Sequence, residues 1–304
     1  MAASLIRPSE DVRAALDGGG PVVALETSVL AQGLPPPRNL EAAEAMSSAI
    51  RAHGAVPAWI AVVEGTVRVG LTDDEIARLV GPGLATKVAR RDVAPALAAG
   101  APGATTVSAM LWAAHRAGIA VAATGGIGGV HRSGRDVSAD LAELARTPAL
   151  LVCSGPKSIV DAAATQERLE ELGVAVVGYG TDWLPAFVVR HAGLRLEHRV
   201  DSPAQAAALA AAGRDLGDAA ILLCNPVPEG HALPADRVEA AVARCETRAD
   251  AEGITGNART PFLLACLAEE TDGATLEANL ALLESNAGLA ADVASEMARG
   301  LGRR

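Results

Sequence analysis

The chain is 304 residues long, enough for a large core, and by length alone it could hold one or two domains. Half of it is apolar but only 2 % aromatic, so the core is built from Ala, Val, Leu and Ile with close backbone contact at glycines. A net charge of −10 and the lack of any basic run or basic-aromatic stripe argue against a nucleic-acid partner; an anionic small molecule in a local pocket stays compatible. No apolar run reaches the ~18 residues of a membrane span, and the N-terminus MAASLIRPSE has no signal pattern. Cys153, Cys224, Cys245 and Cys266 show no CxxC spacing. They read as reduced thiols of a cytoplasmic protein, with neither disulfide nor zinc site.

In chain order, Pro21 to Glu26 (PVVALE) reads as a buried strand, and Leu40 to His53 as a helix stopped by Gly54. Ala58 to Gly65 and Thr66 to Gly70 read as strands. Thr72 and Glu75 form a capping box that opens a short helix. Strands follow at Leu84–Val88, Val121–Gly126, Leu151–Gly155, Val174–Tyr179 and Ala219–Val227. Helices are expected over Ser108–Ala117, Asp136–Arg146, Ser158–Leu172, Arg237–Glu252 and Leu276–Leu301. Ser202-Pro203 and Thr260-Pro261 each read as an N-cap followed by Pro at the first helical position. Strand alternates with helix, and no linker or repeat divides the chain. The expected fold is therefore one α/β domain over residues 1–304, with helices on both faces of a mostly parallel sheet.

Ligands of such folds bind at the C-terminal ends of the strands. That rule gathers Glu26, Lys87, Gly125 to Gly129 and Gly155-Pro156-Lys157 on one rim. Of 26 basic residues only Lys87 and Lys157 are lysines. A chain that uses arginine wherever charge alone is needed reserves lysine for chemistry arginine cannot do, because only the amine can lose its proton and attack. Lys157 follows a buried strand and a Gly-Pro turn, where the expected helix start and apolar surroundings favour the neutral amine. The plain alternative is a solvated lysine. Lys87 opens Lys87-Val88-Ala89-Arg90-Arg91-Asp92, which suits a phosphate clamp or a surface ion-pair cluster. Thr124 to Arg132 (TGGIGGVHR) offers backbone amides and His131 to an anion, or a tight structural turn. Asp136 and Asp140 are four apart and are expected on one helix face. One could bind a divalent cation and the other orient substrate, or both could simply match the helix dipole. Glu26, at the end of a buried strand, reads as a general acid or as a hydrogen-bonded structural carboxylate.

Taken together, VALETSVLAQGLP, GAVPAWIAVVEG, TKVARRD, GATTVSA, ATGGIGGVHR, DVSADL, CSGPKSIVD, LPAF, NPVPE, GITGNARTPFLL and ESNAGLA resemble the pseudouridine-5'-phosphate glycosidase family, also called pseudouridylate synthases. The resemblance runs in order from Val23 to Ala290. It implies a lyase with an α/β/α core that reversibly splits pseudouridine 5'-phosphate into uracil and ribose 5-phosphate. It also implies a homotrimer carrying one manganese-like divalent ion per subunit. By position it makes Lys157 the nucleophile, Glu26 the proton donor and Asp136 the metal ligand. Lys87, Val107, Ser138, Ala139 and Asp140 then contact substrate, and His131 and Asn286 line the same pocket. The implied route opens the ribose ring and forms an imine on Lys157, because the C–C glycosidic bond offers no simple leaving group. The sequence departs from the family's pattern in a short 132–135 loop, in Gln32 where histidine is usual, in Gly230 and in Asn257. Rival readings are a different Schiff-base lyase acting on another sugar phosphate, a non-catalytic sugar-phosphate sensor and a nicotinamide enzyme.

Overall fold

The computed structural model describes residues 5–301 apart from residues 82, 133, 135 and 218, with only the backbone of Asn257 and Leu301. The elements in chain order are β1 (Ile6–Pro8), α1 (Glu10–Asp17), β2 (Val22–Glu26), α2 (Arg38–Ala52), β3 (Val56–Val63), β4 (Thr66–Val69), α3 (Asp73–Leu79), β5 (Thr86–Val88), α4 (Val93–Ala99), β6 (Gly103–Thr105), α5 (Val107–Ala117) and β7 (Val121–Ala123). There follow β8 (Val130–His131), α6 (Ala139–Leu144), β9 (Leu150–Cys153), β10 (Val160–Asp161), α7 (Ala162–Glu171), β11 (Ala175–Tyr179), β12 (His198–Val200), α8 (Pro203–Leu216), β13 (Ile221–Cys224), α9 (Ala235–Ala251), α10 (Arg259–Glu270) and α11 (Ala274–Leu301).

The main sheet runs β1-β4-β3-β2-β7-β9-β13-β11-β12, with β6 joining β3 and β5 joining β6. From β3 through β2, β7, β9, β13 and β11 to β12 every pairing is parallel. The antiparallel pairs are β3 with β4 and β3 with β6. The β3–β4 hairpin turns through Glu64 and Gly65, both at positive φ, as a tight two-residue turn requires. All five residues of β2 are buried, which is why that strand reads as an unbroken apolar run. Val23 and Leu25 face a core shared with α2, α8, α9, α10 and α11. Val22 and Ala24 face a second core shared with α1, α4, α5 and α6. The result is the expected mostly parallel sheet between two helical layers.

The Thr72–Glu75 capping box forms, with both reciprocal bonds present, and Ser202 caps α8 with Pro203 at its first position. Two helix starts differ from expectation. Thr260 and Pro261 lie inside the first turn of α10, which begins at Arg259, where its guanidinium is paired with Glu246 and Asp250. Ser158 to Asp161 is not helical, because Asp161 caps α7 by accepting from the Ala164 amide, while the Ser158 hydroxyl donates to the Ala186 carbonyl at 3.0 Å.

The expectation of four reduced thiols is also corrected. Cys245 on α9 and Cys266 on α10 are joined by a disulfide across the packed helix pair, with Cα atoms 5.8 Å apart. A separation of 21 residues carries no motif, so only the facing of the two helices reveals the pair. Cys153 and Cys224 are free and buried, in register on β9 and β13. Among the described residues no helix is long and apolar enough to cross a membrane.

Candidate active site

The C-terminal ends of β2, β7 and β9, with Lys87 on the oppositely directed β5, open on one cleft, which encloses about 1120 Å³ of empty space, part of it open to solvent. Glu26, Lys87, Val107, His131, Asp136, Ser138, Ala139, Asp140 and Lys157 all line it. Residues spread over 132 positions of sequence are thus brought together, Glu26 and Lys157 by the strand-end rule and the others by the loops and helix starts around them.

Lys157 is held by its backbone. Its amide donates to the Ile127 carbonyl at 3.0 Å, and the Ile127 amide donates to the Gly155 carbonyl at 3.1 Å. The lysine turn and the glycine loop therefore brace each other. The expected helix dipole behind Lys157 is absent: a turn and the two-residue β10 follow it, and α7 starts at Ala162. The second lysine has the more telling environment. Burial, and after it the positive charge of Lys157, push the Lys87 ammonium below its ordinary value, against the pull of Asp140, Glu26 and Asp136. Of the two arginines after it, Arg91 lines the cleft, whereas Arg90 stacks on Trp112 at 4.4 Å, so the clamp has two cations rather than three.

A cation kept charged inside a desolvated site destabilises the fold. Between its lowered value and 10.5, the unfolded chain binds more protons at Lys87 than the folded one does, so this group's contribution to stability rises with pH there. At neutral pH the charge is a standing cost. Lys87→Met is therefore expected to raise the melting point, by roughly 0.5–2 kcal/mol of added stability, while weakening sugar-phosphate binding. Calorimetry alongside a binding titration checks this. A lower melting point would show that Lys87 is structural.

Glu26 is 3 % exposed. One carboxylate oxygen accepts from the Ser28 hydroxyl at 2.6 Å and the Val29 amide at 3.0 Å, and the other from the Thr124 hydroxyl at 3.2 Å. Asp140 is likewise buried, and it accepts from the Ser108 amide at 3.0 Å and the Gly128 amide at 3.0 Å. It fastens the glycine loop to the start of α5, beside Val107. The loop itself differs from the anion nest its sequence suggests. The amides of Ile127, Gly128 and Val130 already donate to Gly155, Asp140 and Thr165. Its glycines serve packing: a Cβ on Gly126 would lie 2.7 Å from the Phe187 ring and 2.9 Å from the Gly155 carbonyl oxygen.

Asp136 does not share a helix face with Asp140. Ser138 caps α6, its hydroxyl accepting from the Asp140 amide, and so leaves Asp136 in the preceding extended segment. There the Asp136 carbonyl accepts from the His131 amide, while its carboxylate is half exposed, 3.8 Å from His131 Nε2. Burial lowers His131 below its ordinary value, and its Nδ1 has no partner. Among the described residues no cluster of three or more His, Cys, Asp or Glu could enclose a metal. One half-exposed carboxylate beside His131 fits a hard divalent ion that keeps most of its waters or borrows substrate oxygens. The short 132–135 loop includes residues 133 and 135, which lie outside the described residues, as does the side chain of Asn257.

Asn286 does not line the cleft. It is fully buried on α11, where its amide nitrogen donates to the Thr124 carbonyl at 2.9 Å and to the Ser154 hydroxyl at 3.1 Å. Its oxygen accepts from Asn225 at 3.0 Å. It ties the ends of β7, β9 and β13 together from below. Sequence reasoning passed over Thr124, Gln32, Phe187 and Asn279 as cleft residues. Phe187 is an aromatic residue at φ 63, whose amide donates to the Ser154 carbonyl at 2.8 Å. Nothing local in Leu-Pro-Ala-Phe announces that conformation.

A profile of the indigoidine synthase A-like family matches residues 11–296. A pseudouridine-5'-phosphate glycosidase of Herpetosiphon aurantiacus is 51 % identical over 288 residues, covering 93 % of this chain and 95 % of its own. One of Gemmatimonas aurantiaca is 49 % identical over 304 residues, covering 99 % of both chains. Among solved structures, a prealnumycin C-glycosynthase in complex with ribulose 5-phosphate superposes with a TM-score of 0.91 at 40 % identity and 99 % coverage of both chains. An indigoidine synthase A-like protein of Thermotoga maritima superposes at 0.89, with 36 % identity and 97 % coverage of both chains. With a family profile spanning the strand-end cleft and relatives half identical along nearly the whole length, the chain belongs to the indigoidine synthase A-like family, among the pseudouridine-5'-phosphate glycosidases.

Proposed function

We propose that the enzyme cleaves pseudouridine 5'-phosphate to uracil and ribose 5-phosphate, reversibly, through an imine on Lys157. The observation that carries this reading is the meeting, in one cleft, of the chain's only two lysines with a buried carboxylic residue, Glu26. Glu26 delivers a proton to the ribose ring oxygen as the C1'–O bond opens. Lys157 Nζ adds to C1'. A proton then goes to C5 of uracil, the C1'–C5 bond breaks, and its electron pair stays with the base. The sugar is left as an imine on Lys157, and water releases ribose 5-phosphate. Lys87 and Arg91 hold the phosphate, and Asp140 keeps the glycine loop and the start of α5 in register around the sugar.

Asp136 would hold a divalent ion of the manganese type, whose charge would stabilise substrate oxygens when bound. The bond-forming direction uses the same groups in reverse. The prealnumycin C-glycosynthase among its neighbours, 40 % identical, is named for making such a bond.

The test is to incubate the protein with pseudouridine 5'-phosphate and manganese(II) and to separate the products. Uracil and ribose 5-phosphate in equal amounts are expected, with uridine 5'-phosphate left intact. Release of a sugar phosphate fragment without uracil would favour the aldolase-like lyase. Binding without turnover, unchanged in Lys157→Arg, would favour the sensor.

A further inference from the structure

The turn that carries Lys157 has little regular structure to hold it. β9 ends at Cys153, β10 is two residues long, and α7 begins only at Ala162. Imine formation nevertheless needs the amine about 3–3.5 Å from the sugar carbon and on a narrow line of approach. Whatever fixes the lysine backbone is therefore part of the chemistry. The bonds to Ile127 and Gly155 fix one side of it, towards the glycine loop.

The other side is fixed by residues 185–187. The Phe187 amide donates to the Ser154 carbonyl at 2.8 Å, and the Ser158 hydroxyl donates to the Ala186 carbonyl at 3.0 Å. Ser154 and Ser158 bracket Gly155, Pro156 and Lys157, so consecutive residues of one turn grip both ends of the lysine segment. Between the two bonds Gly155 lies against the Pro185 carbonyl, where no Cβ fits. The gripping turn is itself anchored. The Ala186 amide donates to the Val189 carbonyl at 3.0 Å, the Val189 amide donates back at 3.2 Å, and the Leu233 amide donates to the Val188 carbonyl at 2.9 Å. Phe187 at φ 63 is strained for a residue with a side chain; such strain persists only where the surroundings over-determine it, and it concentrates at functional sites. Of the two gripping bonds, only that of Ser158 is made by a side chain. Ser158 is buried and, unlike its neighbour Lys157, does not line the cleft, so it can act only through the lysine.

We infer that residues 185–187 are a clamp that aims Lys157, and that Ser158 is a positioning residue for imine formation. This rests on the imine reading of Lys157. In the step concerned, Nζ adds to the C1 aldehyde of open-chain ribose 5-phosphate, protons pass from nitrogen to oxygen, and water leaves as the C=N bond forms. Without the Ser158 hydroxyl the lysine segment keeps its bond at Ser154 and loses the one at its far end, next to Lys157 itself. The Ala186 carbonyl still has the Val189 amide, so Ser158→Ala frees the segment without leaving a buried acceptor unpaired, and the fold is expected to stand.

The experiment compares the wild type, Ser158→Ala and Ser158→Thr, each with manganese(II). Enzyme is mixed with saturating ribose 5-phosphate, quenched into borohydride at timed intervals, and the Lys157 adduct is followed by peptide mass. Binding of ribitol 5-phosphate, which has no aldehyde and cannot form an imine, is titrated by calorimetry and also reports that each variant is folded. Ser158→Ala should slow adduct formation by ~10–100-fold, the scale of a reacting group displaced by ~1 Å, while ribitol 5-phosphate affinity holds within about twofold. Ser158→Thr keeps the hydroxyl and should recover most of the rate. Adduct formation in Ser158→Ala within about twofold of the wild type would overturn the inference. So would a fall in rate matched by an equal fall in affinity, which marks a general structural role. If the wild type itself gives no adduct on Lys157, the imine reading fails and the clamp has nothing to aim.

Discussion

Lys157→Arg is expected to lower turnover of pseudouridine 5'-phosphate by ~10⁴-fold or more, the scale of removing a covalent nucleophile, while leaving the fold and sugar-phosphate binding in place. Arginine keeps the positive charge and cannot attack, so the substitution separates electrostatics from covalency. The sequence makes the direct assay clean. With only Lys87 and Lys157 in the chain, borohydride reduction in the presence of ribose 5-phosphate can mark one of two side chains or the N-terminal amine. A single reduced adduct on the peptide carrying Lys157, missing in Lys157→Arg, is the expected outcome. An adduct confined to the N-terminus or to Lys87 would remove Lys157 as the nucleophile. Glu26→Gln adds a control: it should still trap free ribose 5-phosphate, whose ring opens unaided, yet fail on pseudouridine 5'-phosphate, whose ring must be opened by an acid.

Gly155→Ala is the second large effect, and it reaches the chemistry through the backbone. Gly155 sits at φ 78, and an added Cβ would fall inside the van der Waals surface of the Pro185 carbonyl oxygen. Both the conformation and the contact forbid a side chain, and backbone has no rotamer with which to retreat. The turn that presents Lys157 must shift, and with it the mutual bonds to Ile127. We expect a loss of ~3 kcal/mol or more of stability, read by chemical denaturation, together with loss of imine trapping in whatever folds. Gly134→Ala, also at positive φ but with nothing near the added methyl, should cost far less and serves as the comparison. Equal effects at the two positions would show that the left-handed conformation alone, and not the Pro185 contact, sets the price.

The strands were legible because apolar runs such as PVVALE and LLVC must be buried on both faces of a parallel sheet, and their C-terminal ends then converge. That convergence put Glu26 and Lys157 in one cleft, whereas Lys87 reaches it on β5, which runs antiparallel to β2 by way of β6. What escaped was decided by short-range competition. Ser158 has the look of a helix cap, but its hydroxyl is taken by the Ala186 carbonyl, and Asp161 caps instead. Asp136 has helical spacing to Asp140, but Ser138 begins the helix between them. The role of Asn286 was invisible for a different reason. Its partners Thr124, Ser154 and Asn225 lie 61 to 162 residues away, and no local pattern encodes such a meeting. The Cys245–Cys266 pair is hidden in the same way, by the docking of two helices.

The position of Asn286 has a consequence for synthesis on the ribosome. The strands that end in Glu26, Ala123 and Cys153 are all made long before α11, yet α11 packs against β2, β7 and β9, and its asparagine closes the network beneath them. Nascent chains fold from the N-terminus as they emerge. This one can pair its strands early, but the network beneath its cleft cannot close until α11 has left the tunnel. The strand ends that carry Glu26 and Lys157 can therefore meet early, whereas full activity should arrive only once α11 has docked beneath them.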